Sequence, residues 1–378
     1  MKQLPIVILI LSACFVSSAW SQSGCKANTP WAEFHLQNMR RWNPCEKEIN
    51  VENVVNLRLK WAFKTQPRLQ GVFSSPAVAN GVLYVGAGDN NVYGLNAATG
   101  NAFGMYTTPS SIHSSPAVAN EGVYIGSDDG TVYALNARTG ALLWSYATTL
   151  AIESSPTAVN GVVYVGSDDD NVYAFNASTG VKLWSYATGN SEASSPAVAN
   201  GAVYVGSRDD KVYALNASTG AMLWSYTTGG AVDSSPAVAN GVVYVGSDDG
   251  NVYAFNASTG AKLWNFATAN AVDSSPAVAN GVVYIGSHDG NVYALNAHTG
   301  VKLWNFGTAN AVHSSPAVAN GVVFVGSDDH VVYALNATTG EQLWSYTTED
   351  AVESSPAVVN GIVYVGSDDS NVYAFGLD

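Results

Sequence analysis

The sequence predicts an all-β, eight-bladed propeller of four-stranded antiparallel blades, and three observations carry that prediction. Ser-Ser-Pro phrases begin at Ser74, Ser114, Ser154, Ser194, Ser234, Ser274, Ser314 and Ser354, a constant spacing of 40 residues. A period of 40 in a chain rich in β-branched and aromatic residues marks a closed array of small sheets. No stretch of that array has the 3.6-residue apolar period of a helix. Finally, the last repeat ends at Asp378 after its third strand, and the missing strand is found upstream, where 57–63 (Leu-Arg-Leu-Lys-Trp-Ala-Phe) reads like the outer strand of every other repeat. An N-terminal strand that completes the C-terminal blade closes the ring and removes exposed sheet edges.

The repeat at Ser234 justifies each element. Residues 234–239 form a short β-compatible run ended by Asn240-Gly241, the pair that supplies two positive φ values for a type I′ hairpin. Residues 242–246, Val-Val-Tyr-Val-Gly, make the second strand. Ser247 to Gly250 turn, and 251–256 alternate as the third. Ala257 to Gly260 turn again, and Leu263 and Trp264 sit in the fourth. The prolines at 76, 116, 156, 196, 236, 276, 316 and 356 lack the N–H a ladder needs. They therefore belong to an edge strand, here the innermost one, whose channel-facing edge is expected to be unpaired.

The third turn and fourth strand read Ala-Leu-Asn-Ala-Ser-Thr-Gly-Ala-Met-Leu-Trp at 214–224. This resembles the tryptophan-docking motif of the pyrroloquinoline-quinone (PQQ) type β-propeller repeat, with Asn96, Asn136, Asn176, Asn216, Asn256, Asn296 and Asn336 where that family usually has Asp. Trp144, Trp184, Trp224, Trp264, Trp304 and Trp344 match the docking tryptophan, as does Trp61 in the closing strand, while the first full blade has Gly104 there. The resemblance covers 57–378 and implies two kinds of activity. Some members are quinoprotein dehydrogenases holding PQQ and calcium at the propeller mouth. Others are cofactor-free envelope scaffolds, among them the lipoprotein of the outer-membrane β-barrel assembly machinery. The dehydrogenases carry long insertions between blades and a pair of adjacent cysteines, and this chain has neither, which favours a scaffold without cofactor.

The N-terminus has an apolar run after Met1-Lys2 that reads as an export signal, too short for a membrane span. Residues 1–21 are expected to be removed by cleavage before Gln22. A lipobox-like Leu11-Ser12-Ala13-Cys14 offers the alternative of a lipid anchor on Cys14, the one route to a membrane. A lead-in arm, 22–56, precedes the propeller at 57–378. Its Cys25 and Cys45 are expected to form a disulfide in the oxidising compartment beyond the inner membrane, periplasmic or secreted. A short helix is expected around 31–41.

The formal charge of −14 is unevenly spread. From 22 to 70 there are eight Lys/Arg and four Asp/Glu; from 71 onward there are six and 25. Fifteen of those 25 acids fall in the turns between second and third strands and seven in the blade-to-blade connections, so 22 share one face of the propeller. Duplication of one good Asp-containing turn accounts for part of this. The remainder is a cation-attracting face suited to a basic segment of a protein partner and unsuited to nucleic acid.

The position before each Ser-Ser-Pro varies while its neighbours stay constant: Phe73, His113, Glu153, Ala193, Asp233, Asp273, His313 and Glu353. These residues are expected to ring the channel mouth. His113, Glu153, Asp233, Asp273, His313 and Glu353 are the candidate ligand-binding set, carboxylates suiting calcium and the histidines zinc. Three readings follow. The first is an exported, monomeric, non-catalytic scaffold binding envelope or secreted proteins, with no cofactor. The second is a minimal PQQ- and calcium-dependent oxidoreductase using Asp233, Asp273 or Glu353. The third is a metal- or sugar-binding module. No Gly-rich phosphate loop, catalytic triad or nucleophilic cysteine is present.

Overall fold

The computed structural model describes residues 31–34, 40–66 and 71–378. They build eight four-stranded blades, seven with their strands hydrogen-bonded in sequence order from the channel outwards and the eighth completed by a strand from near the N-terminus, and one extra strand from the N-terminal arm. Blades are numbered here from the Ser-Ser-Pro phrase that begins each, so blade 1 starts at Ser74 and blade 8 at Ser354. In blade 5 the strands are Ala237–Ala239, Val242–Gly246, Asn251–Asn256 and Lys262–Ala267, all antiparallel. Asn240 and Gly241 have φ values of 51° and 77°, as a type I′ turn requires. Blade 2 makes the same turn with Asn120 and Glu121, the latter at φ 63° without the freedom of glycine.

The ring closes as the repeat count requires. Arg58–Lys64 pairs antiparallel with Asn371–Gly376 and becomes the outer strand of blade 8. Next to the axis, the backbone N–H of the second serine in each blade donates to the hydroxyl of the corresponding serine in the next. The chain of bonds runs from Ser75 through Ser115, Ser155, Ser195, Ser235, Ser275 and Ser315 to Ser355, and then back to Ser75. The first serine of each pair accepts a backbone N–H from its own second strand, as Ser234 does from Gly246 at 2.9 Å. All 16 serines are buried.

Further out, tryptophans lock neighbouring blades. Trp184 donates its indole N–H to the Ala217 carbonyl at 3.0 Å, and its ring lies on Gly220. A Cβ on Gly220 would sit 2.7 Å from that indole, and its φ of +72° also favours glycine. Tyr164 donates to the same carbonyl. The pattern recurs around the ring and departs from itself in two places. At the seam Trp344 donates to Leu57 of the arm, and Phe324 replaces the tyrosine. Between blades 1 and 2 no indole is present, because Gly104 leaves a hollow lined by Tyr84, Phe103, Tyr106, Leu135 and Gly140.

The innermost strands of blades 1, 2, 3, 6, 7 and 8 are not left with bare edges, which corrects the expectation from the prolines. The arm runs inside the channel and supplies their partners. Val78 and Val118 donate to the carbonyls of Trp31 and Ala32, and Val278 and Val318 to those of Arg40 and Arg41. Ala158 donates to the Glu33 carboxylate and Asn43 to the Val358 carbonyl. Trp42–Asn43 adds a parallel strand to blade 7. The helix expected around 31–41 is not seen at its ends: Trp31 forms a β-bridge with Val78, and Arg41 has φ 47°. Residues 35–39, like the export signal, Cys14 and Cys25, lie outside the described residues. Arg41 is fully buried, its guanidinium donating to the carbonyls of Pro316, Pro356 and Phe34. Burial pushes it down to about 9.

One residue breaks an otherwise apolar column between blades. Two positions before the first serine stand Val72, Ile112, Ile152, Val232, Val272, Val312 and Val352, all buried, but blade 4 has Glu192. Its two oxygens are buried without a hydrogen-bond partner of good geometry. Burial raises its carboxyl well above the ordinary range, so the folded state holds it protonated more tightly than the unfolded state does.

Two predictions follow from the blade junctions. Gly104→Trp should stabilise the fold by about 1.5–3 kcal/mol, the value of burying a large apolar side chain, since a Cβ at Gly104 meets nothing within 4 Å. A lower denaturation midpoint than the parent's would contradict this account of the hollow. The Glu192 contribution to stability is fully present below about pH 4.3, the ordinary value, and is lost as pH rises through the raised one. Glu192→Val should therefore raise the thermal midpoint at pH 8 more than at pH 4, as measured by calorimetry.

Candidate functional site

The turns between second and third strands and the connections between blades share one face, and there the acids separate into two columns with different work. The outer column is Asp89, Asp129, Asp169, Asp209, Asp249, Asp289, Asp329 and Asp369. Each accepts the hydroxyl of the tyrosine four residues on, as Asp249 does from Tyr253. Most also take a backbone N–H from the preceding connection, such as Gly229 onto Asp249 at 2.7 Å. Burial works against ionising Asp249, but these hydrogen bonds outweigh it and hold the carboxyl low. This column is turn architecture.

The inner column stands one residue earlier: Gly88, Asp128, Asp168, Arg208, Asp248, His288, Asp328 and Asp368. It faces the predicted mouth residues, and the two sets meet. His113 contacts Asp128 at 2.9 Å and His313 contacts Asp328 at 2.9 Å. Arg208 binds both oxygens of Asp233 through Nε, at 2.9 and 3.1 Å. His288 Nε2 lies 3.0 Å from Asp273. The His288 and His313 rings have centroids 4.2 Å apart. The structure thus brings Asp273, His313 and Glu353 together on the side of blades 6 to 8. His113 and Asp233 occupy separate pairs, and Glu153 is exposed beside Asp168.

The electrostatics of the mouth are those of crowded carboxylates. Burial, followed by the neighbouring Glu353 charge, pushes Asp368 up to about 7. Burial and then Glu153 raise Asp168, and burial raises Glu353. Asp248 and Asp273 face each other and hold a proton above the usual carboxylate range as a pair. The hydrogen bond to Asp328 raises His313, and that to Asp128 raises His113. His288 is lowered, by burial and then by the His313 charge. Asp168 and Asp368 each bury an Oδ1 with no hydrogen-bond partner.

Sequence reasoning located the mouth ring but not its counterpart. Arg208 and His288 were legible as interruptions of a repeated Ser-Asp-Asp turn. What was hidden is that residues 25 apart, such as Asp248 and Asp273 or His288 and His313, meet across a blade boundary.

Comparison with known proteins places this geometry in context. A family model described as the β-propeller of the beta-alanine-activating enzyme matches residues 94–321. A second, described as outer membrane protein assembly factor BamB, matches residues 288–378. No curated protein matches the chain. Among solved structures, BamB from Moraxella catarrhalis is similar with a TM-score of 0.75 and 22% identity, over 85% of this chain and all of that one. A europium-containing methanol dehydrogenase has a TM-score of 0.81 and 16% identity, over 92% of this chain and 98% of that one. The quinohemoprotein alcohol dehydrogenase ADHIIG of Pseudomonas putida HK5 has a TM-score of 0.81 and 20% identity, over 94% and 81% of the two chains. At these identities the likeness is one of fold.

The mouth generates a titration prediction. The carboxyl carbon of Asp368 should titrate with a midpoint about 7 in carbon-detected NMR, and Glu353→Gln should lower it by removing one repelling charge. The raised value means that stability from this group falls as pH rises through about 7. A midpoint in the ordinary carboxylate range would show that the mouth is more hydrated than its geometry implies.

Proposed function

The chain belongs to the family of the beta-alanine-activating-enzyme β-propeller, whose model matches residues 94–321, and from that premise and its PQQ-like repeats we propose that it is a non-catalytic binding scaffold of the bacterial envelope. Its working surface is the acidic mouth, and its partner is a basic segment of an exported or envelope protein. One observation carries the reading. The outer acids are consumed by turn structure, but the inner carboxylates are not. They crowd together, some with buried unpartnered oxygens, and among the described residues the turns and connections of the mouth offer one guanidinium, whose Nε–H is already shared between both oxygens of Asp233. A site that repels itself gains most from a cationic guest. The arm that fills the channel from the opposite face supports a docking surface over a passage.

The family resemblance to BamB supports protein binding in the envelope at a coarse level. Export through residues 1–21, or anchoring at Cys14, belongs to the same proposal. So does a Cys25–Cys45 disulfide, supported by Cys45 being disulfide-bonded.

A quinone cofactor fits this mouth poorly. PQQ carries three carboxylates, and Asp248, Asp273, Asp328, Glu353 and Asp368 would face them, while Arg208 is committed to Asp233.

The test is retention of a fluorescent oligolysine peptide. Binding should be saturable at low salt and fall as ionic strength shortens the screening length to about 8 Å at 0.15 M. Asp233→Asn, Asp273→Asn and Glu353→Gln combined should weaken it at least tenfold. Unchanged affinity in that variant, or binding indifferent to salt, would refute the acidic mouth as the docking surface.

A further inference from the structure

Eight near-identical blades provide an internal comparison. A His–Asp pair occurs twice at the same places in the repeat: His113 with Asp128 in blade 2, and His313 with Asp328 in blade 7. The flanks differ. His113 packs beside Phe73, with ring centroids 5.1 Å apart. His313 instead faces His288 at 4.2 Å, and Asp273 stands within ligand distance of both. Blade 7 therefore has donors where blade 2 has an aromatic wall.

We propose that Asp273, His288 and His313 bind one divalent transition-metal ion of the zinc type at the propeller mouth. One ligand atom from each lies within 4.8 Å of the other two, so that small side-chain movements bring all three onto one ion. With bonds of about 2.0–2.1 Å, ligand atoms around one ion lie about 2.8–3.0 Å apart at right angles and about 3.3–3.4 Å apart at tetrahedral angles. His288 Nε2 and Asp273 Oδ2 already stand at 3.0 Å. They do so without hydrogen-bond geometry, since the buried Nε2 finds no hydrogen-bond partner, and neither does Asp273 Oδ1. The two ligand atoms thus stand at coordination spacing in an ion-pair contact that leaves the hydrogen-bonding capacity of both groups unmet.

The surrounding groups have the roles a metal site requires. His313 gives Nδ1 to Asp328 at 3.0 Å, which fixes the ring and leaves Nε2 for the ion, the usual carboxylate–histidine–metal relay. Glu353 groups with the same histidine and Asp328 on the other side. Three protein ligands of mixed imidazole and carboxylate type leave a coordination position open. Imidazole donors favour zinc, copper or nickel over calcium or magnesium. This site does not depend on the peptide-docking role: the metal can bind whether or not a basic segment does.

The test uses the full chain, chelator-stripped, with metal alone. Cobalt(II) is titrated while its visible d–d absorption is followed, and zinc is then added to displace it. One equivalent of cobalt should develop the band, and one of zinc should abolish it. His288→Gln and His313→Gln should each weaken binding more than tenfold, and Asp328→Asn about 10–100-fold, as loss of an orienting partner does. His113→Gln, in the metal-free pair, should leave affinity unchanged. Circular dichroism and the thermal midpoint check that every variant is folded. Absence of a saturable band, parental affinity in folded His288→Gln and His313→Gln, or an equal loss in His113→Gln would each overturn the assignment.

Discussion

The closed belt of serine hydrogen bonds around the axis is the constraint on which the rest of the molecule depends. Each N–H to hydroxyl bond crosses a blade boundary, and eight of them return to their start, so no blade can rotate without breaking two. A hydroxyl can donate and accept, which lets one buried serine serve its own sheet and its neighbour together. The first serines do this as well, with Ser154 through Ser354 donating to the carbonyl of the next first serine. Polar groups next to the axis are thereby satisfied without water, and the channel radius is set. The residue immediately before the belt then has nowhere to point but the mouth.

From that placement the chemistry of the face follows. A repeat that builds one turn eight times also repeats its charge eight times, and hydrogen bonds to tyrosine and backbone absorb the outer aspartates, with Asp209 Oδ1 the exception. The inner positions are free of that duty and have diverged into glycine, aspartate, arginine and histidine. Divergence on an otherwise uniform scaffold concentrates the distinctive chemistry on blades 5 to 8. There, imidazoles, carboxylates and a shared proton sit within one another's fields. On the opposite side Phe73, Gly88 and Ala193 carry no charge, and the His113–Asp128 pair and the Glu153–Asp168 carboxylates stand apart from one another.

The period made most of the fold legible. Blade number, strand order, the docking tryptophans and the closing strand all follow from 40-residue spacing, because each repeats a local rule of turns and alternation. The mouth ring was legible for the same reason, as a variable column in a constant frame. The partners of that ring were not, since Asp248 meets Asp273 through a blade boundary that the period treats as equivalent everywhere. The path of the arm was equally hidden: Trp31, Glu33 and Arg41 belong to no repeat, and only tertiary structure shows that a buried guanidinium can live on backbone carbonyls. Glu192 stands in the sequence as the one acid in a valine and isoleucine column of constant spacing, and what the structure adds is that the column is buried.

The closing strand has a consequence for the order in which the molecule can be completed. Lys60 and Asp378 meet across 318 residues, so the strand that leads into the propeller pairs with its C-terminal strand. Until the C-terminus arrives, Arg58–Lys64 is an unpaired edge among blades that all resemble its true partner, and the arm cannot seat in a channel that does not yet exist. Seven blades can assemble from contacts between neighbours in sequence, but the eighth requires the whole chain in hand. Any shortened product would thus lack its seam and its plug together, leaving both a sheet edge and a hollow axis open to capture by other chains.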